Sequence, residues 1–163
     1  MSENNTVTIE RPSGTYYAKF SDDGYRKDAA HGCARYGAIL APITEKEDFD
    51  AIMKVLVENQ DTYWSDFHIG LEIAKDNSSR VFSNGEPYDF EKHGTYIEED
   101  SRPLTSDLCP AAILSPGFSE TIYIENTRCD KLWMQFLCFK PKKQSCSAAD
   151  ALFHDNFYSF RVF

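Results

Sequence analysis

The stretch YRKDAAHGCARYGAILA, residues 25–41, joins a helical pattern to a short strand and decides how the rest of the chain is interpreted. One face of the helix carries residues that recur every four positions, namely Tyr25, Ala29 and Cys33. The helix is predicted to begin at Asp23 and to stop at Gly37, because glycine readily adopts the left-handed conformation that closes helices. The apolar residues 38–41 then predict a strand.

The segments on either side of this stretch add a second helix and another strand. Residues 15–20 predict a strand because they are rich in aromatic and β-branched side chains, whereas residues 1–13 form a tail without a regular pattern. Thr44 and Glu47 form a capping-box pattern at the start of a helix that Asn59 would end. The predicted buried stripe of that helix is Phe49, Ile52, Met53 and Leu56.

Beyond residue 59 the helical period disappears, and short strand patterns separated by turn residues take over. The strand candidates are residues 67–73, 80–82, 111–114, 120–125 and 134–139. Residues 86–108 carry Pro, Gly, Asp, Glu and Ser with little periodicity, which is typical of a functional or disordered loop. Two early helices followed by a series of strands predict an α+β fold.

Length and charge limit the kind of protein this is. The chain has 163 residues, which predicts one domain, and its formal net charge is -9. An acidic surface repels nucleic acid and anionic membranes, so neither is expected as the main partner. No apolar run has the length needed for membrane insertion.

Two features bear on where the protein works. The polar start, residues 1–12, lacks the apolar centre of a secretory signal, so the chain is either intracellular or a mature form with an added Met. Asn4 and Asn77 stand in glycosylation sequons, a pattern that also arises by chance. The cysteines favour the second option, a secreted or extracellular glycoprotein.

The chain has five cysteines, none in a Cys-x-x-Cys arrangement and none close enough to a histidine to indicate a zinc knuckle. They are Cys33, Cys109, Cys129, Cys138 and Cys146. Spacing alone leaves many pairings open.

Several motifs in a fixed order carry a resemblance to a known family. They are the helix with Tyr25, Ala29 and Cys33, Gly37-Ala38-Ile39-Leu40-Ala41, His68-Ile69-Gly70-Leu71, Phe82-Ser83-Asn84-Gly85-Glu86-Pro87, and the closing Cys109, Cys129 and Phe136-Leu137-Cys138. Over residues 14–139 the sequence resembles the C-type lectin-like domain family, although the family's Trp is replaced by His68. The resemblance implies two helices, short antiparallel sheets and a long irregular loop, in a domain between a tail (1–13) and a C-terminal extension (140–163).

The resemblance also implies how the cysteines pair. It gives the bridges Cys33–Cys138 and Cys109–Cys129, worth on the order of 4–5 and 3 kcal/mol in the chain-entropy model. Such a disulfide-stabilised protein belongs in an oxidising compartment. Cys146 is left over, and it could link two chains into a homodimer, pair with another subunit or stay a thiol.

Many members of this family bind sugar through calcium, which takes about six to eight oxygen ligands. Here the family's loop and strand motifs are altered, since Ile124-Glu125-Asn126 replaces Trp-Asn-Asp. The loop triplet aligns with Glu99-Asp100-Ser101 when counted back from Cys109, or with Arg102-Pro103-Leu104, which offers no calcium ligand at either flank, when anchored on the loop proline. The oxygen cage predicted for calcium consists of Glu99, Ser101, Asp107, Glu125 and Asn126. The predicted ligand contacts are Glu99, Asp107, Glu125, Asn126 and Tyr96, a loop aromatic that suits a sugar ring or a protein interface.

The sequence gives little support for catalysis. Its four histidines are scattered, with no His-Glu-x-x-His and no Gly-x-Ser-x-Gly pattern, so no enzyme is expected. His68 is interpreted as a packed, hydrogen-bonded residue. The expected function is carbohydrate recognition with a non-standard sugar motif and calcium dependence. The alternative is a lectin-like domain that binds a protein ligand without calcium or sugar. The aromatic residues 148–163 predict a segment that docks on the domain or on a partner.

Overall fold

The computed structural model describes residues 6–59, 66–99, 102–129 and 133–142. The helices within these ranges are α1 (Arg26–Ala34), α2 (Lys46–Glu58) and the short α3 (Phe90–His93). The strands are β1 (Thr6–Arg11), β2 (Gly14–Gly24), β3 (Ile39–Leu40), β4 (Phe67–His68), β5 (Leu71–Ile73), β6 (Arg80–Phe82), β7 (Ile97–Glu99), β8 (Leu108–Leu114), β9 (Ile122–Arg128) and β10 (Met134–Pro141). No helix in the described part of the chain is long and apolar enough to cross a membrane.

Most of the strands belong to one sheet. Its order is β1-β2-β10-β4-β8-β9-β7, and β3 pairs with β10 beside this path. Pairing is antiparallel except between β10 and β4 and between β7 and β9. β5 and β6 form a separate hairpin. The predicted α+β architecture, with two principal helices and short, mostly antiparallel strands, is confirmed.

The sheet begins earlier in the chain than the sequence indicated. Residues 6–11 pair with β2 along their whole length, and Ile9 is buried in the core. The prediction of a patternless tail over residues 1–13 is therefore wrong for this segment. Its apolar residues Val7 and Ile9 alternate with polar ones, and such alternation is a strand signal. The signal was weak because the segment is short. At the other end β10 continues to Pro141, two residues past the predicted boundary, and residues 143–163 lie outside the described ranges.

The first helix starts later than predicted. It begins at Arg26 rather than Asp23, because residues as far as Gly24 continue β2 and pair with β10. Of the three residues predicted to share one face, Ala29 and Cys33 are fully buried, whereas Tyr25 is the N-cap and is 37% exposed. Gly37 has a φ of 70°, so it supplies the left-handed position expected after the helix.

The second helix matches the predicted stripe and differs at its cap. Phe49, Ile52 and Leu56 are buried, Met53 packs against them, and Asn59 is the C-cap. The predicted capping box does not form. The N-cap is Glu45, which makes no side-chain capping bond and instead accepts a hydrogen bond from Lys92 Nζ at 2.9 Å.

The single strand predicted over residues 67–73 is divided in two at Gly70. Its N–H donates to the Ala41 carbonyl at 2.8 Å, and a Cβ at this position would lie 2.4 Å from the Leu40 carbonyl oxygen. The chain leaves the main sheet here and enters the β5–β6 hairpin. On the sheet side of the break, His68 is fully buried and its Nε2 lies 3.1 Å from the Gly24 carbonyl oxygen, as expected for a packed histidine.

Both predicted disulfides are present. Cys33–Cys138 joins α1 to β10 with a Cα–Cα distance of 5.5 Å, within a cluster that includes Ala29, Leu40 and Phe136. Cys109–Cys129 joins β8 to the end of β9, where the Cα atoms are 5.0 Å apart. The larger core lies between the sheet, α2 and the start of the long loop.

Candidate functional site

The long loop, residues 86–108, has a packed first half. α3 begins after Asp89, whose backbone N–H donates to His93 Nδ1 at 2.9 Å. The His93 ring is 1% exposed and contacts Phe82, with ring centroids 4.9 Å apart. This segment is a folded part of the domain, so the loop is less irregular than the sequence predicted.

Tyr96, which was predicted to contact ligand, belongs to this packed half. Its side chain is 1% exposed, stacks on Phe49 at 5.1 Å and donates a hydrogen bond to the Ile43 carbonyl at 2.8 Å. A buried ring presents no face to a ligand, so the role predicted for Tyr96 does not fit this position. Of the loop aromatics, Tyr88 is half-buried and Phe90 is 74% exposed.

Glu99 lies at the end of β7 with its carboxylate on Arg80. The same guanidinium donates to Asn77 Oδ1 and lies over the Tyr88 ring, 5.4 Å from its centroid. In the register of β7 with β9, Glu99 is opposite Ile124. Because side chains alternate between the two faces of a sheet, Glu99 shares the face of buried Ile124, and Glu125 points to the other face.

Glu125 and Asn126 are both held by Arg102. The guanidinium of Arg102 donates to Glu125 Oε1 at 2.8 Å, and Asn126 Nδ2 donates to the Arg102 carbonyl at 2.8 Å. Both residues of β9 that were predicted to bind calcium therefore form hydrogen bonds with one arginine.

Asp107 is exposed and makes its side-chain hydrogen bond with a neighbour in sequence. The Thr105 hydroxyl donates to its Oδ1 at 2.6 Å, and this hydrogen bond lowers the pKa of the Asp107 carboxyl. The remaining predicted ligand, Ser101, lies outside the described residues.

The described residues do not assemble into the predicted oxygen cage. Glu99 and Glu125 point to opposite faces of the sheet, and each forms an ion pair with an arginine. In the described ranges, no group of three or more His, Cys, Asp or Glu side chains could hold a metal ion together. Calcium needs several oxygens aimed at one point, so these residues do not fit the ion in this arrangement. Prediction from the sequence missed the pairing of Arg80 with Glu99 and of Arg102 with Glu125. The partners are 19 and 23 positions apart in the chain, so no local pattern indicated either pair.

An open cavity lies between this part of the loop and the β5–β6 turn. Its volume is about 620 Å³. Its lining is mixed, with two apolar and four polar residues, and consists of Leu104, Leu108, Lys75, Asp76, Thr105 and Ser106. Its volume falls within the range of ligand pockets, and it is a shallow depression that is open to solvent.

Comparison with known proteins identifies the fold. No protein-family model matches the sequence, and no curated protein matches it. The structure is similar to the mouse scavenger receptor C-type lectin carbohydrate-recognition domain, with a TM-score of 0.60 and 18% identity over 89% of this chain and 100% of that one. It is also similar to the natural killer cell receptor Ly49C, with a TM-score of 0.58 and 14% identity over 90% of this chain and 100% of that one.

The chain therefore has the C-type lectin-like fold, which confirms the resemblance seen in the sequence. One neighbour is named for carbohydrate recognition and the other as a receptor, and neither is named as an enzyme. At such identities the likeness defines the fold, and the ligand has to be argued from the site.

Proposed function

We propose that this chain is an extracellular recognition domain that binds a protein ligand through its long loop, without calcium. The single observation that supports this most is the position of Arg102, whose guanidinium lies on Glu125 and whose carbonyl accepts from Asn126. A calcium-dependent sugar site would use the oxygens of both residues, and here an internal cation already neutralises one of them.

The charge balance of the loop supports the same conclusion. Calcium binding at Glu99 or Glu125 would have to displace Arg80 or Arg102. Hydrogen bonds between charged partners are about twice as strong as neutral ones, and displacement would leave a guanidinium without its carboxylate. The cost is low for Arg102, whose side chain is 59% exposed. The Arg80 side chain is only 13% exposed, so its displacement would be especially costly.

The cavity beside the loop gives the proposal a place for the ligand. Leu104 and Leu108 supply apolar surface to its lining, and Lys75, Asp76 and Ser106 supply polar groups. Protein interfaces commonly seat an apolar or aromatic side chain of one partner in such a pocket, surrounded by polar contacts. We expect an anchor side chain of the ligand to enter here.

Calcium dependence is tested by thermal unfolding. We expect the unfolding midpoint of the full chain to be the same in millimolar calcium, in magnesium and in chelator. A ligand that binds only the folded state raises the midpoint, so a calcium-specific rise would show that a cage forms and would contradict the proposal.

Ligand class is tested with a glycan array and an array of extracellular proteins, each probed with and without chelator. We expect chelator-insensitive binding to one or a few proteins, and loss of that binding in Ser106→Arg, which places a bulky cation at the cavity rim. Thr8→Arg is the matched control, since it adds the same side chain at an exposed position of β1. Calcium-dependent binding to a glycan would instead establish carbohydrate recognition.

A further inference from the structure

The sequon Asn77-Ser78-Ser79 lies in the exposed turn between β5 and β6. The turn is closed by hydrogen bonds from the Ala74 N–H to the Ser79 carbonyl at 2.9 Å and from the Asn77 N–H to the Ala74 carbonyl at 2.7 Å. We propose that Asn77 is an N-glycosylation site and that its glycan stands at the rim of the cavity and limits access to it.

Two of the three sequon residues, Asn77 and Ser78, have a structural role in the turn. Asn77 has a φ of 62°, a left-handed conformation that asparagine tolerates better than most residues. The Ser78 hydroxyl and N–H both donate to Asp76 Oδ1, at 2.5 and 3.0 Å. Ser79 differs, because its exposed hydroxyl makes no hydrogen bond within the described part of the chain. The hydroxyl that the acceptor sequence requires is thus the one that the turn does not use.

The hydrogen bonds of Asn77 are compatible with the modification. Arg80 donates to Asn77 Oδ1 through Nε and Nη2, at 3.3 and 2.9 Å, whereas the glycan attaches at Nδ2. In the transfer, Nδ2 forms a bond to C1 of an oligosaccharide as the bond from C1 to a lipid pyrophosphate breaks, and one amide proton is released. The acceptor oxygen is unchanged, so both contacts with Arg80 persist. Arg80 is itself fixed by Glu99 and Tyr88, which makes this an anchored turn.

The position of the turn gives the glycan a consequence. Lys75 and Asp76, which directly precede Asn77, line the cavity. A glycan at Asn77 would cover the approach from this side and leave the side of Ser106 open. The claim that the glycan limits access of a ligand rests on the proposed function. The claim that Asn77 is glycosylated does not.

The modification is tested on protein secreted from eukaryotic cells. Trypsin cuts after Lys75 and Arg80, so the peptide 76–80 contains this asparagine alone. After release with peptide N-glycosidase in heavy-oxygen water, we expect mass spectrometry to find residue 77 as labelled Asp. Ser79→Ala should abolish the label and Ser79→Thr should retain it. Recovery of unmodified 76–80 from the wild type would overturn the proposal.

The position of the glycan is tested on the same folded protein without any ligand, so this result is separate from the fate of the proposed function. A bulky amine-reactive biotin reagent should label Lys75 several-fold faster after enzymatic removal of the glycan. Lys54, exposed on α2, is the control and should react at one rate throughout. Equal labelling rates at Lys75 before and after glycan removal would show that the glycan does not cover the cavity.

Discussion

Gly70 is the residue at which the chain passes from the main sheet to the β5–β6 hairpin, and its surroundings leave no room for a side chain. A Cβ there would lie 2.3 Å from Ser83 Oγ and 2.4 Å from the Leu40 carbonyl oxygen. The first of these neighbours is a side chain that can be removed, and the second is backbone that is fixed by β3.

We therefore expect Gly70→Ala to lower the free energy of unfolding by about 1–3 kcal/mol, the usual cost of overpacking. Urea unfolding followed by circular dichroism measures this change. Gly70→Ala combined with Ser83→Gly should recover only part of the loss, because the clash with the Leu40 carbonyl remains. Full recovery would show that the backbone contact is not the obstacle.

Two buried tyrosines give the domain a pH dependence. Burial raises the pKa of both Tyr16 and Tyr96 above the ordinary value of about 10, with nearby carboxylates adding to the effect. Their hydroxyls donate to the Pro42 and Ile43 carbonyls, at 3.1 and 2.8 Å. The unfolded chain loses these protons near pH 10 while the folded chain keeps them, so stability is unaffected below about pH 10 and falls above it.

The tyrosine effect can be separated from other alkaline effects with Tyr16→Phe and Tyr96→Phe. At neutral pH each variant should lose about 1 kcal/mol, since a buried carbonyl loses its donor. Above pH 10 each should lose stability less steeply than the wild type. Urea unfolding between pH 7 and 10.5 gives the slopes, and slopes equal to that of the wild type would rule out these residues as the cause.

At the candidate site, the sequence singled out individual residues and did not reveal their partners. Glu125 and Asn126 were chosen as candidate ligands because they stand in the family's frame before Cys129, and that role stays a prediction. That frame says nothing about Arg102, which approaches from a loop more than twenty residues earlier in the chain. Whether a loop side chain such as that of Arg102 reaches a strand depends on the path of the loop backbone past the sheet. No local sequence pattern encodes that path.

Among the structural elements, α1 and β10 are joined covalently as well as by packing. Cys33 is fully buried and Cys138 is 4% exposed, whereas Cys109 is half-buried and Cys129 is exposed. The first bridge also closes the longer loop, with a sequence separation of 105 against 20. The two bridges should therefore differ both in the stability that they contribute and in their access to reductant.

Removing the bridges one at a time tests this difference. Cys33→Ala with Cys138→Ala should cost about 4–5 kcal/mol, and Cys109→Ala with Cys129→Ala about 3 kcal/mol. In the wild type, graded thiol treatment followed by alkylation and peptide mapping should find Cys129 modified before Cys33. Simultaneous reduction of both bridges would mean that the buried pair is reached by local opening.

The elements also separate what periodicity can and cannot predict. α2 was identified with its buried stripe, because four apolar residues recur at helical spacing over about two turns. β1 was missed because only two residues of this six-residue edge strand, Val7 and Ile9, are apolar. The division at Gly70 was missed because residues on both sides of it are apolar, and the change of sheet depends on contacts with Leu40 and Ser83, far away in sequence.

For the molecule as a whole, four of the five cysteines are consumed inside the domain. As long as both bridges stay within one chain, a covalent dimer forms through Cys146, which lies outside the described residues. We expect a dimer band in non-reducing electrophoresis, if the secreted protein gives one, to disappear in Cys146→Ser without a change in the unfolding midpoint. A dimer that persists in this variant would mean that one of the two internal bridges is exchanged between chains.

The order of the strands places β1 and β7 at opposite margins of the sheet. Six inter-strand gaps separate them, which corresponds to roughly 30 Å along the sheet at the usual spacing. The chain enters the domain at the β1 margin, while residues 102–107 lie beside the other. A fluorophore or an immobilising tag placed ahead of β1 would thus report on binding from a distance, without crowding the surface where a partner arrives.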